Sequence, residues 1–396
     1  MEKMKVEIVS RTTLKPSVPT PHHLRKFNLS LLGQDVLAIH YGSVIFFYPS
    51  DTWSISQKSQ SLKNSLSKIL SHFYPLAGQL SDAVTIECND EGACFIEAES
   101  SCQLKDLLAN PDTQLLKDLV PSTNPNAIRS TLACILLVQL TSFACGGTAV
   151  AISVSQKVAD ASSFCTFIQS WTATCGREYG SVELPKLVGA SLLPPLDTQQ
   201  HVRDAEIVLA IILRSASAAS QSKSLALLNV VNLRKRMVPP LPGNTIGNLI
   251  LKYAVMFHEK DVELHQLVSK MKTEFTNVCK DKVRGIKSKK GYKQIGESRK
   301  QIARLLNGKS RDINTYTCTN LCGYPFHEMD FGWGKPIWVT SPSDFKNLIV
   351  LLDSKWGGIE AWVTLDELEM AIFERDLELR AVASSNPGVF MNYSRI

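Results

Sequence analysis

The chain has 396 residues, 44% of them hydrophobic and 20% charged, with a formal net charge of +6 at pH 7. That balance is the balance of a globular protein with a substantial core, built as two domains or one large one, and it excludes a disordered or fibrous chain. The charge is too thinly spread to imply nucleic-acid binding, and no run approaches the ~20 apolar residues of a membrane span.

The opening segment, Met1 to Val9, mixes charges of both signs without an apolar run, unlike a secretory signal peptide. Residues 60–73 place Leu62, Leu66, Ile69 and Leu70 on one face at helical spacing. Pro75 and Gly78 in the following Tyr-Pro-Leu-Ala-Gly end that helix. Val84–Cys88 and Cys94–Ala98 read as paired strands around the turn cluster Asn89 to Gly92. Leu132–Thr141 and Thr148–Val154 read as a β-hairpin, after which Phe164, Phe167, Ile168 and Trp171 resume helical periodicity. Gln156–Asp160 therefore lies at a strand-to-helix junction, a place where rigid elements commonly hold functional groups.

Residues 182–204, with Leu-Pro-Pro-Leu and little periodicity, read as a linker. A helix over Ala205–Ala216, a strand over Ala226–Asn232, a Pro-rich turn over Met237–Asn244 and an apolar run over Ile246–Phe257 follow. Lys280–Lys300 is basic and poor in apolar residues; it reads as a solvated face, or as a docking surface for an anionic, phosphate-bearing ligand. Ten cysteines are scattered through the chain, several within apolar runs, which points to a reducing compartment and a cytoplasmic location. Cys318 and Cys322 lack the second pair that a zinc site needs, so no metal is expected.

Three ordered motifs carry a resemblance. Phe73-Tyr-Pro-Leu-Ala-Gly-Gln is one; Gln156-Lys-Val-Ala-Asp160 is the second; Asp330-Phe-Gly-Trp-Gly334 is the third. Val231-Asn-Leu-Arg234, Pro239-Pro-Leu-Pro and Gly247-Asn248 fit the same pattern. Over nearly its whole length the chain resembles the plant BAHD acyl-CoA-dependent acyltransferases, in their vinorine synthase-like, alkaloid-acylating branch. The second motif departs from the family pattern His-x-x-x-Asp: Gln156 stands where the family has its catalytic histidine.

The resemblance implies an α/β fold of two chloramphenicol acetyltransferase-like domains, each a mixed β-sheet flanked by helices, with a tunnel between them. Residues 1–190 would form the N-terminal domain and 205–396 the C-terminal one, shortened near 200, where family members carry a further strand and helix. It implies acyl-CoA, most simply acetyl-CoA, as co-substrate, a small-molecule hydroxyl as acceptor, no permanently bound cofactor and a monomer. Asp160 would orient the loop by pairing with Arg234, a role compatible with capping the helix that follows. Asp330, Gly332, Trp333 and Gly334 would form a structural loop, and Thr319 and Asn320 would lie near the reacting carbonyl.

A histidine suits this chemistry because its pKa lies near working pH when an alcohol must lose its proton. The amide of Gln156 accepts a hydrogen bond but is not basic enough to take that proton. No other histidine stands out as a replacement; His327, just before Asp330, is nearest in motif terms. Two functions stay open: an O-acyltransferase of weakened activity acting on a plant specialised metabolite such as an alkaloid, or a non-catalytic BAHD-like binding protein or decayed copy.

Overall fold

The structure, a computed structural model, describes residues 5–389 apart from 31, 34–35, 37–39, 83, 112, 123–133, 176–184, 188–201, 221, 223, 238, 259–262, 284–288, 307–312, 344 and 387. Most of the expected linker, and with it the expected shortening near 200, lies outside the described residues.

In chain order the first half holds β1 (Val6–Leu14), β2 (Lys26–Asn28), β3 (Tyr41–Tyr48), α1 (Ile55–Leu70), β4 (Gln79–Leu80), β5 (Thr85–Glu87), β6 (Ala93–Ser100), α2 (Leu104–Ala109), α3 (Thr113–Lys117), β7 (Leu136–Phe143), β8 (Thr148–Ser155) and α4 (Ala161–Cys175). The second half holds α5 (Val202–Ala219), β9 (Ser224–Asn232), β10 (Ile250–Phe257), α6 (Leu264–Asn277), α7 (Lys289–Leu306), β11 (Ile313–Asn320), β12 (Trp338–Thr340), β13 (Leu348–Asp353), β14 (Ile359–Thr364), α8 (Glu367–Phe373) and α9 (Leu377–Val382).

Two mixed sheets organise these elements. One runs β1-β6-β7-β8-β3-β12, the other β10-β9-β11-β13-β14, and a small third sheet is β2-β5-β4. All eight residues of β8 are buried, as befits a strand covered on both faces. β7 and β8 form the expected antiparallel hairpin, with Gly146 at φ 82° supplying its turn. α1 starts earlier than its apolar stripe alone predicts, because Ser54 and Gln57 form a capping box; Leu62, Leu66, Ile69 and Leu70 are all buried beneath it.

One reading needs correction. β5 and β6 do not pair with each other: β5 joins β2 and β4, whereas β6 lies between β1 and β7. The turn at Asp90 (φ 58°) and Gly92 (φ 101°) redirects the chain from one sheet to another instead of closing a hairpin. Also, the first sheet is completed from the second half. β12 leaves the C-terminal segment and pairs with β3, Trp338 against Phe47 and Thr340 against Ile45.

Candidate active site

The junction after β8 is held from both halves of the chain. Asp160 is buried and accepts the Ser163 N–H at 2.9 Å, capping the start of α4. Its other oxygen accepts from Arg234 Nη1 at 2.7 Å and from the Leu249 N–H at 2.8 Å. Arg234 itself is 1% exposed. Its Nε donates to the Thr245 carbonyl, and its Nη2 to Ser163 Oγ and the Gly247 carbonyl, all at 2.8–2.9 Å. Asp160 thus caps the helix and pairs with Arg234 at once, and the pair bolts the first half to the segment joining β9 to β10.

Gln156 sits one residue beyond β8 with its side chain exposed. Its backbone is fixed on both sides: its N–H donates to the His40 carbonyl at 2.9 Å, and its carbonyl accepts from Asn248 Nδ2 at 2.6 Å. The Gln156 side chain lies over Gly42, where an added Cβ would stand 3.3 Å from Nε2. Next to it, Lys157 is buried and donates from Nζ to the Val36 carbonyl. Its own carbonyl crowds Gly33 so closely that a side chain there would collide with it.

Thr319 and Asn320 end β11, which runs parallel to β9. They therefore point toward the same end of the second sheet as Asn232 and Arg234. Asn320 Oδ1 accepts the Cys322 N–H at 2.9 Å. From there the chain crosses to the first half. Burial, and then the Asp160 carboxylate nearby, pushes the Tyr324 phenol up to about 12. Phe326 meets Phe46, and the Met329 carbonyl accepts the Tyr48 hydroxyl at 2.8 Å.

Asp330 to Gly334 follow at that far end. The exposed Asp330 accepts the N–H groups of Gly332 and Gly334 at 2.7 and 2.9 Å. Both glycines have φ 107°, where a side chain would be strained. Phe331 is fully buried against Trp171, 5.0 Å between ring centroids. Trp333 packs on Phe331 and Tyr48. Seven residue steps along β3 separate Tyr48 from the Tyr41–Ser155 pair beside Gln156, a span of ~23 Å, so this loop braces the fold at a distance from residue 156. His327, three residues before Asp330, has its Nε2 2.9 Å from the Asp353 carbonyl at the end of β13. Cavities of about 280 Å³ between β10, α6 and α7, and about 290 Å³ between α4 and residues 325–330, are not lined by Gln156. The seam around residue 156, where both halves contribute buried polar groups, is the candidate site.

A family model described as the Transferase family matches residues 4–212 and 202–380. The chain belongs to this family, the BAHD acyltransferases. Akuammiline synthase 1 of Alstonia scholaris is 34% identical, over 95% of this chain and 97% of that protein. Stemmadenine O-acetyltransferase of Catharanthus roseus is 31% identical, over 94% and 96%. The crystal structure of vinorine synthase superposes with a TM-score of 0.80 at 28% identity, covering 97% of this chain and all of the other. BAHD acyltransferases are acyl-CoA-dependent enzymes built on this two-domain α/β fold, with a CoA thioester as co-substrate.

Reading the sequence missed several residues that hold this junction. Ser163 and Leu249 contribute to the Asp160–Arg234 network through a hydroxyl and a backbone N–H that no motif marks. His40, opposite Gln156, was equally hidden, because its place depends on the pairing of β3 with β8. Among the described residues, no group of three or more His, Cys, Asp or Glu side chains is arranged to hold a metal ion, and no helix is long and apolar enough to cross a membrane.

Proposed function

We propose that this chain transfers an acyl group, acetyl in the first instance, from coenzyme A to a hydroxyl of a plant specialised metabolite such as an alkaloid. The observation that carries the reading is the buried Asp160–Arg234 network. It occupies both halves of the chain and fixes the turn that presents the exposed Gln156 at their seam.

The acceptor oxygen attacks the thioester carbonyl carbon as its proton passes to a base, and the tetrahedral intermediate collapses with departure of CoA sulfur, which receives that proton, to give ester and CoA thiol. Gln156, in the position of the family histidine, orients the hydroxyl through its amide. Thr319 and Asn320 offer donors to the developing oxyanion, and the Asp330–Gly334 loop with Trp333 keeps the halves in register. Lacking an imidazole at 156 lowers the rate by up to ~10²–10⁴ unless another group takes the proton, while holding thioester and alcohol together retains part of it. Activity is therefore weakened.

The names of the relatives, O-acetyltransferases and alkaloid synthases among them, support acetyl-CoA and an alkaloid-type acceptor. A domain division at 1–190 and 205–396, with the tunnel between them and the second domain shortened near 200, belongs to the same reading. The alignment with akuammiline synthase 1 runs over 426 positions, more than the 396 residues of this chain, which agrees with a segment missing somewhere in it. Free thiols at all ten cysteines support a reducing, cytoplasmic setting, and a monomer belongs to the same reading.

Purified chain incubated with acetyl-CoA and a panel of alkaloid and simple alcohols should release CoA above the enzyme-free background. Gln156 itself favours a second reading, a protein that binds acyl-CoA without turning it over. Saturable acetyl-CoA binding with no CoA release would select that one, and absence of binding would mark a decayed copy.

A further inference from the structure

The register of β3 against β8 brings a histidine to the place where Gln156 lacks one. Tyr41 pairs with Ser155, Gly42 with Val154 and Val44 with Ile152. One step outward, the Gln156 N–H donates to the His40 carbonyl at 2.9 Å, so His40 is the cross-strand partner of Gln156. Directly opposed residues of an antiparallel pair share a sheet face, with Cβ atoms ~4.5–5.5 Å apart. The lie of the Gln156 side chain over Gly42 agrees, since Gly42 and His40 alternate onto that same face. Further in, this face buries Val44, Ile152 and Val154 in the core; at Gly42, His40 and Gln156 it opens.

We propose that His40 is the general base of this chain, taking over at the neighbouring strand the task that an imidazole at position 156 would perform. The proposal rests on the acyltransferase reading above. As the acceptor oxygen forms its bond to the thioester carbon, its proton passes to the free imidazole nitrogen of His40. When the tetrahedral intermediate expels CoA sulfur, that proton goes on to the thiolate. The products are ester and CoA thiol, and the imidazole returns to its starting state.

The surroundings suit the task. His40 is half-buried, with the Phe345 ring edge-on at 5.3 Å. Burial, and then the positive charge of Lys252, lowers its proton affinity. A base must start unprotonated, and a lowered pKa holds His40 in that form near neutral pH. Phe345 and Lys252 both come from the second half of the chain, so His40 stands at the same seam as Gln156.

The test compares four full-length proteins: the natural chain, His40→Gln, Gln156→His, and the two changes together. Each is given acetyl-CoA and the acceptor panel, and CoA thiol release is read. His40→Gln should lower turnover about 100-fold or more with saturation by acetyl-CoA unchanged, and adding Gln156→His should restore it. A His40→Gln protein within about twofold of the natural chain overturns the proposal. So does turnover confined to the proteins carrying Gln156→His, which would leave the acyltransferase scaffold standing without His40 as its base. Acetyl-CoA binding with no turnover in any of the four overturns the acyltransferase reading and the proposal with it. A measurement independent of acceptor choice is carbethoxylation of the natural chain by diethyl pyrocarbonate, mapped by peptide mass spectrometry. His40 should react, and saturating acetyl-CoA should slow it severalfold. An unchanged rate at His40 places it away from the thioester and overturns the proposal.

Discussion

Each N–H of the Arg234 guanidinium has a partner: Asp160 and Asn232 from Nη1, Ser163 and Gly247 from Nη2, Thr245 from Nε. A buried charge is tolerable only when it is paired and hydrogen-bonded in this way. Removing the cation with Arg234→Met should lower unfolding stability by about 3–5 kcal/mol, because Asp160 is left buried and charged. Arg234→Lys keeps the charge but not the planar fork, so carbonyls at 245 and 247 lose donors; about 2 kcal/mol or more should be lost there too. Urea unfolding measures both, and a lysine variant as stable as the natural chain would mean that the fork is dispensable. Asp160 and Arg234 were legible through the family resemblance that their motifs carry. Their partners Ser163 and Leu249 were not, since one acts through a hydroxyl common to most surfaces and the other through its backbone. His40 was hidden for a different reason: more than a hundred residues separate it from Gln156, and only strand register brings them together.

The segment from Leu321 to Thr340 ties the halves together. It passes Tyr324 near Asp160, Phe326 against Phe46, Phe331 against Trp171, and then adds β12 to the first sheet. Phe331→Ala empties a fully buried position between aromatic rings and should cost about 3–5 kcal/mol in the same unfolding experiment. A loss below about 1 kcal/mol would show that the loop does not hold the fold. Elements with strong local signals were readable in the sequence: the β7–β8 hairpin from its two apolar runs and glycines, α4 from its periodicity. β12 was not, because three residues between Pro336 and Pro342 carry no period, and their pairing with β3 is decided by the whole fold. The separation of β5 from β6 failed to register for a similar reason: a turn cluster between two strands signals a reversal but not which neighbour each strand will find.

At the scale of the molecule, the halves are interlocked and not merely adjacent. The core of the first half contains Ile246, Leu321, Phe326, Met329, Phe331 and Val339 from the second. A fragment of residues 1–190 should therefore fail to form a native core, binding a hydrophobic dye and lacking near-ultraviolet dichroism; a cooperatively folded fragment would contradict the interlock. The same construction is what gives residue 156 its setting, since each half supplies one side of the clamp around it. Whether that setting still performs chemistry is tested most directly by CoA release from acetyl-CoA in the presence of the acceptor panel, with the natural chain and Gln156→His measured side by side. The account predicts acceptor-dependent release by the natural chain, with the ester product detected by mass, and release at least as fast by the variant. Saturable acetyl-CoA binding with no release from either protein would contradict it and leave a binding protein on an acyltransferase scaffold.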